Sequence, residues 1–157
     1  MTEDDIAKQM KGLIQKYSLP SFKDLDNEFE VGAVETPCSS LLSSVRNKMI
    51  ERVGYFIKVL DDLLYRPDNS YANMHEVQGF SESERKSLFH LYKKLILLDR
   101  TSLELNLLLD EKQDADFIKR LFDVWQDVKP ELLELVRKMK HVWENDETQD
   151  DTATYFT

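Results

Sequence analysis

The chain has 157 residues, 41% hydrophobic and 32% charged, with four glycines, four prolines and one cysteine; such a chain suits one domain burying about 70% of its unfolded surface and is poor in turn material for hairpins. The lone Cys38 excludes an internal disulfide and a multi-cysteine zinc site, which points to a reducing, intracellular setting. A formal charge of −9 opposes nonspecific attraction to phosphate backbones.

The longest apolar run, Leu95-Ile96-Leu97-Leu98, is far below the roughly 20 residues needed to span a bilayer. The amino terminus, MTEDDIAKQM, is acidic where a secretory signal would be basic and then apolar. A soluble, cytoplasmic protein is expected.

In chain order, Ile6, Met10, Leu13, Ile14 and Tyr17 recur at three- and four-residue spacing and predict a helix from Glu3 to Tyr17. Glu3, Asp4 and Asp5 suit its positive amino-terminal end, and Leu19-Pro20 stops it. Ser21 reads as the cap of a short amphipathic turn carrying Phe22, Leu25 and Phe29; residues 18–37 show the least pattern in the body. Thr36-Pro37 predicts the start of a long helix reaching Tyr65, because threonine caps and proline is pre-set for the first helical position. Leu42, Val45, Met49, Val53, Phe56, Leu60 and Leu63 form its buried stripe, and Arg46, Lys48, Glu51, Arg52, Lys58 and Asp61 are placed on its wet side.

Pro67-Asp68-Asn69-Ser70 is turn chemistry, and a short helix over residues 71–77 precedes Gly79. Ser81-Glu82-Ser83-Glu84 is a capping box, opening a helix that continues to Leu109. Its seam is Leu88, Leu91, Tyr92, Leu95, Leu98, Leu105 and Leu109, widened by Phe89, Ile96 and Leu103, which predicts a central helix touched from several sides. Asp114 is expected to cap a fifth helix bearing Phe117, Leu121, Val124, Trp125 and Val128. Lys129-Pro130 should interrupt it, with Asp127 capping a sixth that carries Leu132, Leu135, Val136, Met139 and Trp143. No run of two-residue alternation and no repeat is visible. The expectation is an all-α helical bundle of four main helices plus short ones: a single domain over residues 1–145, then a flexible acidic tail over 146–157.

Candidate chemistry is sparse, and no catalytic, cofactor-binding or metal-binding residue is assigned. His75, His90 and His141 are far apart and lie in no metal-binding motif. Glu131-x-x-Glu134 is similar to one half of the carboxylate pattern of helical, magnesium-dependent nucleotide pyrophosphatases, which keeps a helical metal-dependent nucleotide hydrolase as the alternative; the same glutamates also suit a helix amino terminus. Cys38 falls in an expected first turn, where the dipole would lower a thiol pKa. Basic groups at Arg46/Lys48/Arg52, Lys93/Lys94/Arg100 and Arg137/Lys138/Lys140 are interleaved with acids or sit near helix ends, which makes nucleic acid an unlikely partner.

Protein partners are favoured instead. Trp125 and Trp143 are either core residues or interface anchors, and the wide apolar surface of residues 88–109 leaves a homodimer open. The end of the chain, Gln149-Asp150-Asp151-Thr152-Ala153-Thr154-Tyr155-Phe156, resembles the sliding-clamp interaction box of replication and repair proteins. The resemblance implies a 3₁₀ turn on the clamp with Gln149 in a polar pocket, Thr152 at the aliphatic site, and Tyr155 and Phe156 in the hydrophobic cleft. Thr152 departs from the pattern, which wants an aliphatic side chain there. In the body, VRNKMIERVGYF followed by a connector and FSESERKSLFHLYKKL is similar in plan to the helical part of GINS replication-factor subunits, although no β-rich piece accompanies it. The functional expectation is a non-enzymatic adaptor or scaffold whose partner site includes Gln149, Thr152, Tyr155 and Phe156.

Overall fold

A computed structural model describes residues 2–34, 40–65 and 71–146. Six α-helices occur in it: α1 Glu3–Tyr17, α2 Phe22–Phe29, α3 Leu41–Tyr65, α4 Tyr71–Gln78, α5 Glu82–Leu108 and α6 Glu111–Asp146. A single 3₁₀ turn, Val31–Ala33, follows α2. There is no strand among the described residues, so the fold is all-α. No helix of the described residues is long and apolar enough to cross a membrane.

Local chemistry explains most of the helix starts. Thr2 and Asp5 form a reciprocal capping box on α1, and the Ser21 hydroxyl accepts from the Asp24 amide at the start of α2. Ser81 and Glu84 close the box expected on α5, each amide donating to the other residue's side chain at 3.1 Å. Thr36 and Pro37, the expected start of α3, lie outside the described residues. The described helix begins at Leu41, with the Ser40 hydroxyl accepting from the Ser43 amide.

The reading of the last two helices needs correction on two counts. Asp114 does not cap: α6 starts at Glu111, and Asp110 accepts from the Gln113 amide, leaving Asp114 one turn inside. That amide bond is also the first cause holding the Asp110 carboxyl below its usual pKa. Asp127 and Pro130 do not divide the helix either, since α6 continues for 36 residues through Pro130. A proline inside a helix costs about 3 kcal/mol through its missing amide and its ring. Here both Pro130 and Gln126, whose carbonyl loses its partner, are exposed residues, which keeps the vacated bond on the solvent side of α6. Packing on both sides of the proline supplies the rest. At 1.5 Å per residue α6 is about 54 Å long.

α3 and α5 run antiparallel and make the most extensive helix pairing. Tyr92 reaches Asp61 and Tyr65 at one end, and Ser102 and Asn106 reach Arg46 at the other. α6 packs across both and touches every other helix in turn. Near its start Glu111 accepts from Tyr17 of α1 at 2.6 Å. Farther on, buried Trp125 packs in tilted geometry against Phe29 and Phe56 at centroid distances of 5.4 and 6.0 Å, while its indole N–H donates to Glu28 of α2. Near its end Trp143 donates to Glu76 of α4 at 3.0 Å.

Three apolar seams meet in this core with steps of three and four residues, the packing that lets long helices lie nearly aligned. On α3 the seam is Leu42, Arg46, Met49, Val53, Phe56, Leu60 and Leu63; on α5, Leu88, Leu91, Leu95, Leu98, Ser102 and Leu105. On α6 it runs Asp114, Ile118, Leu121, Trp125, Val128, Leu132 and Leu135. Each seam is broken once by a polar residue, and the three exceptions converge.

Arg46 is therefore the clearest departure from expectation. Placed on the wet face by its charge, it is fully buried, beside an Asp114 that is 1% exposed. Its Nε donates to Asp114 Oδ1 at 2.8 Å, Nη1 to the Ser102 carbonyl and hydroxyl at 2.9 and 2.5 Å, and Nη2 to Asn106 Oδ1 at 2.7 Å. The Ser43 hydroxyl completes the carboxylate's shell by donating to Oδ2 at 3.1 Å. A planar guanidinium spreads its donors over three helices in a way an ammonium does not. Burial without such partners would cost several kcal/mol per charge.

Candidate functional site

Two faces of α5 carry the candidate functions: a cleft it shares with α6 and an outer edge. The cleft lies between the first half of α5 and the second half of α6, has a volume of ≈ 450 Å³, and is lined on its apolar side by Phe80, Leu88, Leu91 and Leu135. Ion pairs straddle it. Lys138 Nζ is 2.7 Å from Glu84 Oε2, and Lys94 Nζ is 3.8 Å from Glu131. The Lys138 ammonium, then the Ser81 amide, hold the Glu84 carboxyl at about 2, well below the usual carboxylate range. Glu84 thus serves two helices at once, capping α5 and anchoring α6.

The carboxylate pair noted in the sequence, Glu131 and Glu134, lines this cleft with His90. Glu131 faces a lysine, and no group of three His, Cys, Asp or Glu among the described residues is placed to hold a metal ion. The histidines are dispersed: His75 lies 4.5 Å from the Trp143 ring, whereas His141 is 3.9 Å from Glu144 on the surface. Cys38 lies outside the described residues.

Beyond the cleft, α4 is clasped to the end of α6. Tyr71 and His75 pack around Trp143, centroids at 6.3 and 4.5 Å, and Gly79 lets Val142 come close. A Cβ at Gly79 would lie 2.3 Å from Val142 Cγ2, so only glycine fits without displacement. The two tryptophans consequently differ. Trp125 is core at 1% exposure, and Trp143 is a partly open residue at 36%.

The outer edge of α5 departs from the expectation of a helix covered on several sides. Phe89 and Leu103, read as widening a buried seam, are 42% and 53% exposed. The reason is geometric. α3 and α6 pack on one side of α5, α4 reaches only its first turns, and the opposite side is left exposed. The exposed set continues with Leu97, Leu107, Leu108 and Leu109, Leu107 reaching 85%.

Leu109 closes α5 as a left-handed residue. It adopts the left-handed conformation, φ 53° and ψ 48°, and its N–H returns to the Leu105 carbonyl to end α5. Glycine is the usual residue there because a Cβ costs about 1 kcal/mol or more in that region. Ser18 and Glu30 end α1 and α2 in the same conformation, so what sets Leu109 apart is the exposed apolar side chain it carries there. The sequence carries a signal for it, the run LNLLL at 105–109, where a helix termination would normally bring polar residues or glycine.

Of the expected partner-binding residues, Gln149, Thr152, Tyr155 and Phe156 all lie outside the described residues. Of the basic positions on α5, Lys93 and Arg100 fall along the exposed edge and Lys94 faces the cleft, while Arg46 is withdrawn from any surface. Compared with known proteins, the chain matches no family model, no curated protein and no solved structure.

Proposed function

We propose that this protein is a cytoplasmic, non-enzymatic adaptor or scaffold that works by docking protein partners on its helical body and through its carboxyl-terminal segment. The observation that carries the reading is the group of leucines at the end of α5, Leu103, Leu107, Leu108 and Leu109, each about half or more exposed. Scattered exposed leucines are normal on protein surfaces, whereas contiguous apolar patches mark interaction sites. Held on a long helix pinned by α3 and α6, the group is also rigid, which lowers the ordering cost of binding.

The carboxyl-terminal resemblance to a sliding-clamp box supplies a second contact in this proposal. Gln149, Thr152, Tyr155 and Phe156 would engage the partner, with Thr152 weakening the aliphatic contact by about 1–2 kcal/mol relative to a leucine. Pull-downs from a lysate with the intact chain, the Leu103→Glu/Leu107→Glu variant and a chain ending at Asn145 test the two contacts separately. The intact chain should retain proteins that one or both variants lose. Identical sets for all three would sink the adaptor reading.

A further inference from the structure

We infer that one partner of the α5 edge is a second copy of this chain, with the two α5 helices antiparallel about a two-fold axis at the level of Leu98. The inference rests on the interaction reading above and adds to it the identity and geometry of the partner. It starts from a second seam on α5, distinct from the buried one: Phe89, Lys93, Ile96, Arg100, Leu103 and Leu107.

Their spacings are four, three, four, three and four, a sequence that reads the same in both directions. At 100° per residue they fall within a strip roughly 80° wide on the side away from the core. All are exposed except Ile96, which is half-buried. The strip is about 27 Å long at 1.5 Å per residue.

A two-fold dimer requires a surface complementary to itself, so that if residue i meets residue j of the partner, j meets i. Reversal about Leu98 satisfies that at every layer. Phe89 meets the partner's Leu107, Ile96 meets the partner's Arg100, and Lys93 meets the partner's Leu103 with Glu104 beside it. The outer layers at both ends are wholly apolar. In the middle the Arg100 stem covers Ile96 while its guanidinium stays in water beside Asp99, its own neighbour in the chain.

Charge has the same symmetry. Lys93 stands toward the amino-terminal half and Glu104 toward the carboxyl-terminal half, both exposed. An antiparallel copy brings Lys93 against the partner's Glu104 twice, whereas a parallel copy sets lysine beside lysine. Opposite charges flanking an apolar seam are what fix orientation in paired helices. Because one helix edge is a small interface, the dimer belongs to the weak class, with a dissociation constant on the order of micromolar to tens of micromolar.

Sedimentation velocity of the full chain from about 1 to 300 μM, spanning that affinity range, tests the inference. The chain should pass from monomer to dimer, and Leu107→Glu should leave it monomeric with unchanged helical circular dichroism. Lys93→Glu and Glu104→Lys should each weaken the dimer about tenfold or more, since each sets like charges together twice. Combining them should restore it, which no merely misfolded variant would do. A chain monomeric throughout the range, or a dimer indifferent to these changes, overturns the inference. Monomer with a captured partner lost by Leu103→Glu/Leu107→Glu overturns the dimer alone; a charge-swapped dimer that captures nothing overturns the adaptor reading alone.

Discussion

The hairpin end of α5 and α6 and their open end are both tied by opposite charges, yet the ties are of different kinds. At the hairpin end Arg46 and Asp114 are 0% and 1% exposed, and neighbouring helices supply oxygen partners for the guanidinium. At the open end the Lys138 and Glu84 side chains are 35% and 40% exposed, and those of Lys94 and Glu131 53% and 49%. Water competes for every contact there and salt screens it. The lesson is that burial, more than the distance between charges, sets how much depends on a pair: 2.8 Å in one case and 2.7 Å in the other.

The sharpest way to break the comparison is at Arg46. Arg46→Ala or Asp114→Ala should cost about 3–5 kcal/mol, since each strands a buried charge. Replacing both, as Arg46→Met with Asp114→Leu, should cost much less than either single change, because no orphan charge remains. Chemical denaturation of the three variants measures this. Additive losses would mean that the pair is held by packing rather than by charge.

A smaller effect is expected in the clasp. Gly79→Ala forces Val142 aside and should cost about 1–3 kcal/mol by overpacking, seen as a lower melting temperature and faster amide exchange in the last turns of α6. The smallest change is Glu84→Gln. Glu84 has a folded pKa of about 2, below the ordinary 4.5, so its contribution is fully present above pH 4.5 and is lost as pH falls through 2. The melting difference between the wild type and Glu84→Gln should therefore be modest near neutrality, shrink in high salt, and vanish by about pH 2. A difference that persists at pH 2 would assign the effect to side-chain shape instead.

Local signals in the sequence reported local facts well. Ser21 and the Ser81/Glu84 box mark helix starts because capping is settled within four residues, and the apolar rhythm locates α3 and α5. Asp114 misled for the same local reason: it resembles a cap, and only its contact with Arg46, 68 positions earlier, shows otherwise. Pro130 misled because the rule against helical proline does not weigh the tertiary contacts that hold both flanks. The buried node did leave a trace, since Arg46, Ser102 and Asp114 each occupy the place in a three-four seam where an apolar residue belongs. Read helix by helix they look like imperfections, and only their convergence gives them meaning. The α5 edge was half legible. Its apolar width showed in the sequence, but which part stays uncovered depended on where α3 and α6 came to lie.

The node formed by those three interruptions also carries information that a leucine contact cannot. An apolar seam with three- and four-residue steps is nearly periodic, so sliding α5 along α3 by one heptad would again set apolar side chains against apolar side chains. After such a slip Arg46 would face Leu95 in place of Ser102, a cation enclosed by hydrocarbon with its carbonyl and hydroxyl partners gone. One arginine thus makes the alignment of three otherwise interchangeable helices single-valued, a role like that of a lone buried polar residue in a coiled coil.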